Sequence, residues 1–113
     1  MQAEDRVRLL HMVDACQSVQ AFVSGCDRSA LDSDQMRLFA LVRAIEIIGE
    51  AASKVTAETR DACRSIPWVA LTGMRNRLIH AYFDVDKDIL WIAATVEVPA
   101  LLTRLRAIIA GDD

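Results

Sequence analysis

The segment Arg75-Asn76-Arg77-Leu78-Ile79-His80-Ala81-Tyr82 holds the side chains of this chain best suited to chemistry. Arg75, His80 and Tyr82 stand in R-x4-H-x-Y spacing, and Tyr82 is the chain's one tyrosine. A guanidinium is a fixed cation whose planar fork matches phosphate. An imidazole titrates near neutral pH and moves protons there. Together they are a minimal set for cleaving a phosphodiester without a metal. The spacing alone is weakly specific, because Arg and His five residues apart occur by chance in many helices. A structural role stays open here, with Arg75 paired to a glutamate, His80 exposed and Tyr82 a core aromatic.

Charge points the same way. The net charge of −3 argues against a general nucleic-acid coat protein, which is normally basic. Between Arg60 and His80, however, stand Arg60, Arg64, Arg75 and Arg77 against one acid, Asp61. A basic patch on an acidic body suits a site that grips a few phosphates better than a long electrostatic track.

The scaffold must come from helices. The 113 residues suffice for one domain, 1–113, and 53% are hydrophobic with only four Gly and two Pro, a composition of a well-packed helical protein. No apolar run is long enough for a bilayer and the first residues lack a signal-peptide pattern, so a cytoplasmic protein without membrane attachment is expected. Cys16, Cys26 and Cys63 are odd in number and lack C-x-x-C spacing, which speaks against disulfides and structural zinc. Cys16 and Cys63 read as small core residues. His11 has no second His or carboxylate cluster to complete a metal site, and no cofactor is expected.

Periodicity predicts four main helices. The first runs from about Glu4 to Val23, with Leu9, Leu10, Val13, Cys16, Val19 and Val23 at helical spacing, and leaves through Gly25. The second starts at Asp32 or Ser33, where Asp32 and Gln35 resemble a capping box, and continues to about Val55. Its core side is Leu38, Leu41, Val42, Ile45, Ile48 and Ala52. Met36, Ala40, Ala44, Ile47 and Ala51 widen the apolar arc to half the circumference or more, wider than one core face usually needs. Two explanations stay open: a homodimer seam, or simply the central helix of the bundle. Residues 56–66 have room for a short fifth helical turn. The third helix starts near Pro67, tolerated at a first helical position, and carries the motif. Asp84 or Asp86 caps the fourth, which runs to about Ala110 with a kink at Pro99. No alternation supports a sheet. The expected fold is all-α, an antiparallel bundle.

On an ideal helix through Trp68–Tyr82, Leu71, Met74, Leu78, Trp68 and Ile79 face inward. Arg75 and Tyr82 fall within that face. A buried Arg needs a partner, and Glu46 or Glu50 on the second helix is the natural one. His80 lies roughly 140° around from Arg75 and shares its side with Asn76, which would orient the imidazole. Arg75 and His80 therefore converge only if Arg75 curls around the helix, if the helix unwinds near His80, or if a twofold dimer brings a second motif across a cleft. The last also uses the surplus apolar surface of the second helix.

Taken jointly, Ile45-Glu46-Ile47-Ile48-Gly49-Glu50-Ala51-Ala52, Ile66-Pro67-Trp68 and Gly73-Met74-Arg75-Asn76-Arg77-Leu78-Ile79-His80-Ala81-Tyr82-Phe83-Asp84-Val85-Asp86 resemble the HepT-like family of the HEPN superfamily. His11-Met12-Val13-Asp14-Ala15 and the helix around Trp91 extend the likeness over nearly the whole chain. The resemblance implies an all-α homodimer acting as a metal-independent RNase toxin, its motif lining a cleft between subunits. It implies an antitoxin partner, a minimal nucleotidyltransferase of the MntA type, which transfers AMP from ATP onto the motif tyrosine, here Tyr82. Carried onto this sequence, Arg75 would bind the scissile phosphate and His80 would serve as general base or acid. Asn76 would orient His80. Arg77 is either an added phosphate contact or a solvated charge.

Two other readings remain. One is a non-catalytic helical dimer that binds nucleotide or RNA and acts mainly as binding partner and substrate of a nucleotidyltransferase. The other is a structural adaptor with a fortuitous motif.

Overall fold

A computed structural model of the chain describes residues 1–81 and 84–112; Tyr82, Phe83 and Asp113 lie outside the described residues. Among the described residues the fold is all-α, apart from one small antiparallel strand pair.

Helix α1 (Ala3–Val23) buries Leu9, Met12, Cys16 and Val19, a stripe repeating every three or four residues. Leu10, expected in that stripe, is exposed and Met12 takes its place. Leu10 lies one residue beyond Leu9, about 100° around the helix. His11 is exposed. Gly25, at φ +73°, turns the chain out of α1 in the left-handed conformation glycine permits.

The next boundary differs from expectation. Ala30–Ser33 form a separate turn, α2, and the long helix α3 spans Gln35–Ser53. Its cap is Asp34, whose carboxylate accepts from the Arg37 amide at 3.1 Å, and not Asp32. Asp32 instead binds Arg28 and Lys87. Helix α3 packs against α1 on one side and α5 (Trp68–Leu78) on another. That double contact explains most of its wide apolar arc: Ala44 and Ala51 are buried within the subunit, while Met36 remains 84% exposed.

Helix α4 (Ala57–Ala62) fills the 56–66 segment. Thr56 caps it, and the buried Asp5 of α1 accepts bonds from the Thr56 amide (3.0 Å), the Thr56 hydroxyl (2.6 Å) and the Thr59 hydroxyl. Burial alone would raise the Asp5 pKa; the three bonds outweigh it and hold the pKa below the ordinary value.

Helix α5 starts at Trp68, with Pro67 just outside. It ends at Leu78, short of the expected continuation through Tyr82. Ile79–Ala81 (β1) pairs antiparallel with Asp84–Val85 (β2), opposing Ile79 to Val85 and Ala81 to Asp84. The Asp86 amide donates to the Leu78 carbonyl at 2.7 Å. This long-range bond takes the acceptor that a further turn of helix would have used.

The last span is helical from Lys87 to Asp112: α6 (Lys87–Ile92), a π turn (Ala93–Glu97) and α7 (Val98–Asp112). The π turn lies just before Pro99. Proline lacks an N–H and crowds the carbonyl four residues back, so widening the preceding turn relieves the clash. The Val98 amide accordingly reaches the Ala93 carbonyl, five residues back. Leu90, Ala93, Val98, Leu101, Leu102 and Leu105 close the core against α1. Among the described residues, no helix is long and apolar enough to cross a membrane.

Candidate active site

Arg75 and His80 come from one end of α5. Arg75 sits in its last turn and His80 on β1, two residues past its end. The side chains of both are open to solvent, at 63% and 51%. Arg75 therefore does not lie within the inward face, which consists of Trp68, Leu71, Met74 and Leu78. It stands at the rim of the α3–α5 seam.

That seam is tight because of Gly49. A Cβ built there would meet the Leu71 carbonyl oxygen at 2.9 Å, closer than side-chain carbons approach a backbone. One turn from Leu71, Arg75 Nε donates to Glu46 Oε2 at 2.9 Å. Of the two acids considered as its partner, Glu46 makes the bond; Glu50 accepts from Arg43 on its own helix at 3.0 Å. A bond through Nε leaves both terminal nitrogens of Arg75 in position to face an anion as a fork. Glu46, Gly49, Glu50, Ser53, Thr72 and Arg75 line the shallow hollow along this seam.

The end of α5 changes the relation of His80 to the other motif residues. Because β1 leaves the helix, the angle between Arg75 and His80 on an ideal wheel no longer applies, and unwinding supplies a change of direction within one chain. It also removes the one-turn relation that suggested Asn76 as the holder of His80; Asn76 is exposed. The imidazole instead has Nε2 3.4 Å from Asp86 Oδ2. Asp86 Oδ1 caps α6 by accepting from the Ile89 amide at 3.0 Å. The Ile89 amide holds the Asp86 carboxyl below the usual carboxylate range; partial desolvation opposes this and the His80 bond adds to it. Asp86 was legible in the sequence only as a helix cap. Its second contact depends on a hairpin that no local pattern announced.

Arg77 is exposed and 3.4 Å from Glu97 of the π turn, so it is a paired surface charge. Tyr82, the expected modification site, lies outside the described residues. Among the described residues, no group of three or more His, Cys, Asp or Glu gathers to hold a metal ion.

A fixed cation held by one acid and an imidazole held by another are the elements of acid–base chemistry on a phosphodiester. Comparison with known proteins points the same way. A family model described as ribonuclease HepT-like matches residues 12–108. A protein of Caldanaerobacter subterraneus subsp. tengcongensis named as a candidate RNase is 34% identical over 104 residues, covering 92% of this chain and 93% of its own. A candidate RNase of Methanocaldococcus jannaschii is 32% identical, covering 82% of this chain and 85% of its own. A Thermococcus cleftensis protein named for ribonuclease HepT is 41% identical over 68 residues, covering 60% of this chain and 62% of its own. No solved structure matches the chain.

Proposed function

Since this chain belongs to the HepT-like ribonuclease family, we propose that it is the RNase toxin of a toxin–antitoxin pair and that Arg75 and His80 cut RNA without a metal. The observation that carries this reading is the arrangement at the end of α5, where a solvent-facing Arg75 anchored by Glu46 precedes a solvent-facing His80 anchored by Asp86.

Arg75 binds the scissile phosphate and stabilises the charge that grows on its oxygens. His80 takes the proton of the 2′-hydroxyl. The 2′-oxygen forms a bond to phosphorus, the bond from phosphorus to the 5′-oxygen breaks, and the departing oxygen is protonated by solvent or by a second imidazole. A 2′,3′-cyclic phosphate results, and DNA, lacking the 2′-hydroxyl, is not cut. Two copies of the chain line one cleft in this reading, the homodimer being what the resemblance to the HepT-like family implies. The MntA-type partner silences the enzyme by AMP transfer to Tyr82, which places an anionic phosphate two residues from His80 and in competition for Arg75.

The test is cleavage of a defined structured RNA in EDTA, with mass spectrometry confirming that the parent protein carries no AMP. EDTA-resistant cutting that disappears in His80→Ala is expected, with cyclic phosphate ends. No cutting by the unmodified parent moves the assignment to an RNA- or nucleotide-binding dimer that is chiefly the substrate of its nucleotidyltransferase.

A further inference from the structure

We infer that Asp86 is the positioning residue of His80, its carboxylate holding the Nε2–H tautomer so that Nδ1 is the nitrogen that exchanges protons with the RNA. The role in catalysis rests on the reading of His80 as the acid–base group; the contact itself does not.

Three bonds pin Asp86. Its amide is tied to the Leu78 carbonyl at the end of α5, its Oδ1 to the Ile89 amide, and its own carbonyl to the Leu90 amide in the first turn of α6. Two of these bonds fix its backbone at the hairpin and the third orients its carboxylate. Its second oxygen, Oδ2, is the one that faces His80 Nε2. A carboxylate accepts and does not donate, so a neutral imidazole beside it carries its proton on Nε2. That leaves the Nδ1 lone pair for the 2′-hydroxyl proton. Once Nδ1 is protonated, the same carboxylate faces the imidazolium and stabilises it. The lowered pKa of Asp86 keeps it ionised throughout the neutral range. Asp86 touches neither substrate nor reacting atoms; it acts through His80.

Asp86→Asn separates this role from capping. Asn caps helices as well as Asp, so its oxygen stays on the Ile89 amide and its NH2 turns to His80. That donor makes Nε2 an acceptor and moves the ring proton to Nδ1, the wrong tautomer for the reaction. In mildly alkaline buffer, nitrogen–proton correlation spectra of the His80 ring, identified by its loss in His80→Ala, should report Nε2–H in the parent and Nδ1–H in Asp86→Asn. RNA cleavage by Asp86→Asn should lose about tenfold or more in kcat, with KM within about twofold. The unfolding midpoint of Asp86→Asn should stay close to that of the parent, because Asn keeps the cap on the Ile89 amide.

The same ring tautomer in parent and Asp86→Asn overturns the proposal. So does a loss of activity in Asp86→Asn that is matched by a loss of folded stability, which assigns Asp86 a purely structural role. If the unmodified parent cuts no RNA, the RNase reading fails, and the ring spectra alone decide whether Asp86 positions His80.

Discussion

Arg75 Nε lies 2.9 Å from Glu46 Oε2, so the cation assigned to the scissile phosphate is already oriented in the free subunit. The pair is too exposed to matter much for stability, since surface ion pairs contribute about 0–1 kcal/mol. Its value is directional. Glu46→Gln is expected to leave the melting temperature nearly unchanged and to lower kcat/KM several-fold, about 1 kcal/mol of transition-state binding. Arg75→Lys should lose about tenfold or more, because an ammonium cannot bind Glu46 and present a fork to phosphate at once. Unchanged kcat/KM in both variants would remove Arg75 from the site.

The α3–α5 seam offers a second test. Gly49→Ala pushes a Cβ against the Leu71 carbonyl. The backbone cannot rotate away as a side chain would, so a loss of about 1–3 kcal/mol is expected from overpacking. Denaturant unfolding measures it. A neutral result would mean that the two helices separate easily at this level.

Asp5 makes acid stability predictable. Its pKa is lowered in the folded protein, so the native state favours the carboxylate. The stabilisation is complete above the unfolded-state value of about 3.9 and is lost as pH falls through the lower folded value. Asp5→Ala strands the Thr56 amide and two hydroxyls and should cost about 1–3 kcal/mol at neutral pH. The difference in stability between parent and variant should narrow as acid is added. A constant difference down to acid unfolding would contradict the assignment.

The cysteines should separate by reactivity. Burial pushes the Cys16 thiol up to about 12, with Arg106 opposing weakly, while Cys26 and Cys63 are half-buried. In native protein at mildly alkaline pH, a disulfide-exchange reagent is expected to label Cys26 and Cys63 and to spare Cys16 until denaturant is added. Rapid native labelling of Cys16 would show that α1 opens readily.

How much of this was legible follows from range. The stripes Leu9–Cys16–Val19 and Leu38–Leu41–Ile45–Ile48 were readable because burial repeats with the helix, whatever the partner. The left-handed exit at Gly25 was equally local. The cap at Asp34 was missed because the extra turn Ala30–Ser33 looks like the helix it precedes, and Asp32 offered a plausible cap two residues early. The end of α5 was not readable at all: no Gly or Pro marks it, and the bond that ends it comes from Asp86, eight residues on. That single event decided the site. It took His80 off the helix and set Asp86 beside the imidazole. The motif residues were legible as chemistry, whereas their mutual placement depended on a hairpin.

One carboxylate thus joins the imidazole to the first amide hydrogen bond of α6. The Ile89 amide becomes a spectator with a view of the site. Its exchange with heavy water slows only while Asp86 is seated, so the isotope uptake of one backbone proton should gauge the site's assembly in the absence of any RNA.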